Sequence, residues 1–515
     1  MPVAAARKKK NLVIVESPAK AKTINKYLGD DFEVLASYGH VRDLPSGRKS
    51  KGEAVVGINI DGGWQARYVV PDSADGKGEG KGRRRTAKDV ITELKKAADR
   101  SLTVFLAPDP DREGEAIAWH LKEALGLDDD RIRRVTFNEI TKKAVADAFK
   151  EPGQIDLDRV AAQEARRFLD RVVGYKLSPL LGQKVARGLS AGRVQSVAVR
   201  LIVDREREIQ NFKSEEYWKI SALLAPEGTV VKDKGKKKKG KAPAGAATAL
   251  TKAKAVRAKP PAAEGATDEN GEAAPEQPEI PEGAFLAELA EWAGKKFASD
   301  NAEATQKIVD ALQGAAYVVS KVEQKDRQEK PAPPFITSTL QQQASIRLRL
   351  SARQTMMLAQ RLYEGVELGS EGSVALITYM RTDSTRISND ALKAVRDLIG
   401  KQYGKDYLPD KANVYASGKS AQEAHEAIRP TDLAYTPERV EKFLPRDEFR
   451  LYSLIYNRFV ASQMTPATFA VTNIDVTASE GLFKSQGKTL KFDGYRRVLP
   501  PAGKQEDTML PRLEE

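Results

Sequence analysis

Three short β-rich runs in the first 150 residues each lead into an amphipathic stretch: NLVIV (11–15) into PAKAKTINKYLG, TVFLA (103–107) into GEAIAWHLKEALG, and RRVTF (133–137) into KKAVADAFK. That alternation predicts βαβ units, and therefore a mostly parallel sheet covered by helices. Parallel strands bring their carboxyl ends to one edge, which is where such sheets bind ligands. Chemistry is thus expected just after these runs. Glu16 ends the first, and PDPDREGE follows the second.

Asp109, Asp111 and Glu113 are spaced by two, so an extended segment would project all three carboxylates to one side. Pro110 delays the start of the helix. Three crowded carboxylates repel unless a cation joins them, and hard oxygen ligands suit magnesium. Glu16, at the end of a strand in the same unit, is expected to join them. The alternative is a solvated acidic turn, and Arg112 could balance the charge in either case.

Further along, 156–208 reads as helical and α-rich, with the arginines of VAAQEARRFLDRVVGY off its apolar face. Residues 72–86 read as a flexible loop and 226–282, rich in Lys, Ala, Pro, Gly and Glu, as a disordered insertion. TLQQQASIRLRLSARQTMMLAQRLYEGV predicts a helical pair leading to a strand that contains LITYMRTDST (376–385). A tyrosine ending an apolar strand, as Tyr379 does here, is ordinarily packing. As a nucleophile, a phenol with an unperturbed pKa near 10 would need a cation to stabilise it, and Arg381, two residues on, could share its face.

The net charge of +13 and pI near 9.4 favour polyanionic partners, nucleic acid first, although the lysine run at 232–245 could be a solvated loop. Without cysteine the chain has no thiolate metal site or disulfide. No apolar stretch approaches the roughly 20 residues of a membrane span, and the basic N-terminus leads into a strand, so a cytoplasmic protein is expected. No Gly-rich Walker loop is visible, which argues against an ATP-driven motor.

VESPAKAKTI, YGHVRDLP, DPDREGEAIAWHL, LSAGRVQSVAVRLIVDRE, PPFITSTLQQQA, ITYMRTDS and AHEAIRP occur in this order, and together they resemble the type IA DNA topoisomerases of bacteria. The resemblance covers most of the chain outside the two loops. It implies a multidomain α/β plus α-rich fold, with an N-terminal Toprim domain (a Rossmann-like parallel sheet) followed by helical and mixed domains forming an arch. The corresponding divisions are a Toprim domain at 11–150, the first part of a helical DNA-binding domain at 151–212, and an arch segment at 213–290. The tyrosine domain follows at 291–405, an arch return at 406–465, and a return to the DNA-binding domain at 466–515.

The implied activity is magnesium-dependent and ATP-independent: Tyr379 cuts one strand to leave a 5′-phosphotyrosine, the other strand passes, and the cut is rejoined. Arg381 assists; Lys20 and Glu16 serve the leaving 3′-oxygen; His425 lies near the scissile phosphate. Glu16, Asp109, Asp111 and Glu113 are the implied metal ligands. His40, Arg166, Arg167, Asp170 and Tyr175, with Ser190, Ala191, Gly192, Arg193, Val194 and Gln195, match DNA-contacting stretches. Gly182 stands where many relatives carry a stacking tryptophan.

The implied partners are single-stranded and negatively supercoiled DNA, met as a monomer in the nucleoid. Relatives continue beyond the region of FDGYRRVLP, so a fragment that cuts but relaxes DNA poorly is expected. The alternatives are a topoisomerase III-like decatenase, or a Toprim protein that binds or cuts single strands without strand passage.

Overall fold

The computed structural model describes residues 10–47, 55–71, 86–227, 280, 283–416, 426–503 and 510–511. The loop at 72–86 and the insertion at 226–282 fall outside them, but for residues 86, 226, 227 and 280. Two compact units emerge: Met1–Glu206 with Ala332–Met464, and Arg207–Pro331 with Thr465–Glu515.

The first unit opens with a four-stranded parallel sheet of β1 (Asn11–Val15), β2 (Phe32–Ala36), β3 (Val104–Leu106) and β4 (Ile132–Arg134), in the order β2-β1-β3-β4. Leu12 and Ile14 pair with Val104 and Leu106, and all four are fully buried. Helices α1 (Pro18–Asn25), α2 (Ala87–Asp99), α3 (Arg112–Leu125) and α4 (Lys142–Lys150) connect or flank the strands. Val90 and Leu94 of α2 join Ile117 and Leu121 of α3 in the core. Burial on both faces explains the unbroken apolar run of β1. The expected helical stretch is two helices, α5 (Leu157–Lys184) and α6 (Arg193–Asn211), and α6 has no buried residue.

The second unit is a six-stranded antiparallel sheet. Along its main path β5 (Ser221–Leu224), β6 (Phe285–Trp292), β7 (Val318–Glu329), β8 (Ala467–Ala478) and β9 (Gly481–Phe492) run in the order β7-β8-β9-β6-β5, and Lys295–Lys296 pairs with β6. Helix α7 (Ala302–Leu312) adds Val309 and Leu312 to the core of Phe285, Leu289, Ile474, Val476 and Phe483. Because β7 pairs with β8 from Val318–Thr477 to Glu329–Ala467, residues 291–331 pack with this sheet. They are not part of the body that holds the tyrosine.

The first unit resumes with the helical pair α8 (Thr337–Leu348) and α9 (Ala352–Glu364), turned by left-handed Arg349 and restarted by a capping box of Ser351 with Gln354. A short antiparallel pair, Val366–Glu367 with Ser373–Val374, follows, then α10 (Asn389–Gln402), α11 (Pro437–Val440) and α12 (Arg446–Ser462). The strand expected around Tyr379 is absent. The segment is extended, but its backbone is shared among separate partners: Leu376 N donates to Leu362 O, Thr378 N to Arg429 O and Tyr379 N to Asn138 O. With its amides already satisfied in three places, no continuous ladder forms.

Candidate active site

Ser17 caps α1 by accepting from Lys20 N, and Pro18 occupies the first helical turn. This turns the Lys20 side chain back over the end of β1. Its Nζ is fully buried and donates to Glu16 Oε1 and Asp109 Oδ1, each at 2.9 Å. The ammonium also lies 5.2 Å from the Phe137 ring centre and 5.8 Å from that of Tyr363.

Burial pushes Lys20 down, but Asp109 and Glu16 outweigh it and hold the amine above its ordinary range. Burial drives Glu16 up to about 8, Lys20 opposing and Asp109 reinforcing the rise. Burial also lifts Asp109, yet Lys20 and the hydrogen bonds of Glu16 and Lys20 keep it below the usual carboxylate range. Near neutral pH this group is therefore a neutral Glu16, a charged Asp109 and a charged Lys20. Glu16 Oε2 is buried without a hydrogen-bond partner.

Asp111 caps α3, its Oδ1 accepting from Gly114 N at 2.8 Å. Its other oxygen accepts from the Tyr379 hydroxyl at 2.6 Å and from Arg381 Nη1 at 3.1 Å, while the same Arg381 nitrogen reaches Glu113 Oε2 at 2.6 Å. Tyr379 is buried, and burial, then Asp109 and Asp111, push its phenol far above the ordinary value against the pull of Arg381. A cleft of about 590 Å³ is lined by Glu16, Asp109, Asp111, Glu113 and Arg381 together with Ser17, Tyr38, His40, Met356, Met357 and Gln360, while Tyr379 is buried behind Asp111.

Asp109, Asp111 and Glu113 line one cleft with Glu16, but the extended spacing expected to bring them there is corrected. Asp111 already caps the helix, so the two-residue alternation stops there and Glu113 sits on a helical turn. Asp109 and Glu16 face Lys20, whereas Asp111 and Glu113 face Arg381. Among the described residues no three acidic or histidine side chains converge as a metal site. The donor set is nonetheless all carboxylate oxygen, which fits a hard divalent cation, and one of its oxygens, Glu16 Oε2, is buried and unpaired.

The loop carrying Asp109 is fastened from behind. Arg134, ion-paired with buried Glu115, donates to the carbonyls of Leu106, Pro108 and Asp109. Gly114 is required by closeness: a Cβ there would stand 2.1 Å from the Asp109 carbonyl oxygen. Sequence reasoning passed over these two, and also Tyr363, Asn138 and Arg429. Arg429 is buried and paired with Glu139 at 2.8 Å and Glu426 at 2.8 Å, which ties the tyrosine segment to the residue after Asn138.

Of the other expected residues, His40 lines the cleft, while His425 lies outside the described residues. Arg167 forks onto Asp43, and Arg193 forks onto Asp170 at 2.9 and 3.0 Å. Arg166, Ser190, Val194 and Gln195 are exposed, as is Tyr175, which stacks with Arg171. Ala191 is fixed by its amide on Ser178, Gly192 packs against Gln195, and Gly182 has open space around it. These residues lie on α5, α6 and their connection and do not touch the Tyr379 cluster in any contact described. His120 is buried between Tyr68 and Trp119 and is pushed down to about 3, first by burial, so it stays neutral.

A parallel sheet whose carboxyl edge gathers Glu16, Lys20 and Asp109, joined by a tyrosine and an arginine from a distant segment, has counterparts among known proteins. A family model described as DNA topoisomerase matches residues 154–515, and one described as the Toprim domain matches residues 11–140. The protein named DNA topoisomerase 1 of Pseudomonas aeruginosa is 45% identical over 534 residues, covering 98% of this chain and 53% of its own length. That of Haemophilus influenzae is 43% identical over 533 residues with the same shares. The solved structure of full-length topoisomerase I from Thermotoga maritima superposes with a TM-score of 0.70 at 33% identity, covering 98% of this chain and 69% of that one. The chain belongs to the type IA DNA topoisomerases, with a Toprim domain at its start. It spans about half the length of the curated relatives it matches.

Proposed function

We propose that the chain cuts and rejoins single-stranded DNA through Tyr379, within a magnesium-dependent, ATP-independent cycle of strand passage that relaxes negatively supercoiled DNA. The observation that carries this is the Tyr379 hydroxyl held 2.6 Å from Asp111, with Arg381 on the same carboxylate oxygen. In cutting, Tyr379 Oη bonds to the phosphorus and the P–O3′ bond breaks. The phenol proton passes to Asp111, which already accepts its hydrogen bond. Arg381 offers its fork to the phosphate as charge builds on it.

The leaving 3′-oxygen takes a proton from Glu16, which with a pKa of about 8 still holds one near neutral pH. Lys20, held above its ordinary range, keeps its proton and serves as fixed charge. Rejoining reverses each transfer. Magnesium would be held among the carboxylates that line the cleft, Asp111 and Glu113 with Asp109 and Glu16, and when bound it would supply charge that orients the phosphate and the free 3′-end. The exposed arginines of α5 and α6 supply phosphate contacts and Tyr175 a stacking face for a single strand. Energy for rejoining is stored in the phosphotyrosine ester, so no nucleotide is required.

Tyr379→Phe tests this. An end-labelled single-stranded oligonucleotide should give a covalent adduct on denaturing gels with the parent chain and none with the variant, while noncovalent binding stays nearly unchanged. A labelled adduct in the variant would remove Tyr379 from the role.

A further inference from the structure

Building on Tyr379 as the nucleophile, we propose that Tyr363 is a positioning residue for strand cleavage: its ring fixes the Tyr379 ring and floors Lys20, and its hydroxyl steadies the Asp109 carboxylate.

Tyr363 sits in the last turn of α9 and is fully buried. Its ring meets that of Tyr379 edge-on, 5.2 Å between centres at 65°. The contact fixes where the nucleophilic ring can lie, because the opposite end of Tyr379 is tethered through its own hydroxyl to Asp111. The same Tyr363 ring lies 5.8 Å from Lys20 Nζ, opposite Phe137, so the ammonium is enclosed by two ring faces and two carboxylates.

Packing alone would be served by phenylalanine. The phenol oxygen is buried beside the Asp109 carboxylate, which helps push its pKa well up and is itself held low in part by the Tyr363 hydroxyl. With Lys20 a fixed charge on one side of Asp109, the Tyr363 hydroxyl is a further polar group against the same carboxylate, and removing it leaves Asp109 held by Lys20 and Glu16 alone.

The test compares Tyr363→Leu and Tyr363→Phe in the 515-residue chain, with single-turnover cutting of a labelled oligonucleotide and binding measured in the Tyr379→Phe background. The Leu variant should cut about 100-fold more slowly, with Kd unchanged within about twofold. The Phe variant should recover the ring's share and keep a deficit of roughly tenfold, the worth of one hydrogen bond. If Leu prevents folding, thermal melts reveal it and the Phe variant, with its ring intact, carries the test. A Leu variant that cuts at the parent rate, or a Phe variant equal to the parent, overturns the proposal. So does a loss that appears wholly in Kd. Absence of adduct from the parent chain would instead overturn the role of Tyr379, and this inference with it.

Discussion

Gly114→Ala is the smallest change that should damage the site, because it adds one methyl where the Asp109 loop touches α3. The new Cβ would begin 2.1 Å from the Asp109 carbonyl oxygen and 2.9 Å from its carbon and nitrogen, all backbone atoms. Real side chains do not approach below 3.0 Å, so loop and helix must part by about 1 Å. That carbonyl accepts from Arg134 at 2.8 Å, and the Asp109 carboxylate accepts from Lys20 at 2.9 Å. A shift of this size stretches at least one of them beyond bonding distance. Overpacking costs about 1–3 kcal/mol and a lost hydrogen bond to a charged group about 1.5–3. Alanine returns up to about 1 kcal/mol of helix propensity. The balance is a loss of roughly 1.5–5 kcal/mol, with about 100-fold slower cutting and rejoining if the 1 Å error reaches the carboxylate. Urea melts and single-turnover cleavage of an oligonucleotide measure the two effects. An alanine variant that is more stable than the parent and cuts at its rate would show that propensity wins and that the close approach is not needed.

Glu16 gives a pH prediction: its folded pKa of about 8 lies above the ordinary 4.5, so its contribution to stability is complete below pH 4.5 and is lost as pH rises through about 8. At about 1.4 kcal/mol per unit the loss amounts to a few kcal/mol, and Glu16→Gln should flatten the melting temperature across that window; equal slopes would remove Glu16 as the cause. Glu113→Gln, which leaves Asp111 to take the phenol proton, should impair magnesium-dependent rejoining more than cutting, measured with and without chelator, and equal rejoining would reduce Glu113 to a structural role. Gly182→Trp has open space for its side chain and should be tolerated in α5. It should tighten single-strand binding in a fluorescence titration by about 1–3 kcal/mol if a base stacks there, and unchanged affinity would mean that no strand passes that position.

The parallel sheet was legible because β1 is covered on both faces and so could only be written as a continuous apolar run. The strand-edge rule also located Glu16 beside the Asp109 loop, although Lys20 and Asp109 stand 89 residues apart. The partition of the acidic residues was not legible. Where α3 begins depends on Asp111 finding Gly114 N, and a spacing of two carries no sign of where extension ends. The absence of a strand at Tyr379 was hidden for a different reason: its backbone partners, Asn138 and Arg429, come from unrelated stretches. Tyr363 read as one more apolar position on an amphipathic helix. Only the fold shows that its neighbours are Tyr379 and Lys20.

The stretch that carries Tyr379 meets the Toprim stretch through polar groups at several places. Thr23 bonds the Glu364 carbonyl at 2.7 Å and Ser373 at 2.8 Å, Lys22 pairs with Glu367, and Lys26 reaches the carbonyls of Glu371 and Ser373. Arg429 pairs with Glu139, and Arg381 with Asp111 and Glu113. A seam stitched in this way behaves unlike an oily one. Each stitch is worth only about 0.5–1.5 kcal/mol net, because water offers each group an equivalent bond when the seam parts. Rising salt loosens the ion pairs among them.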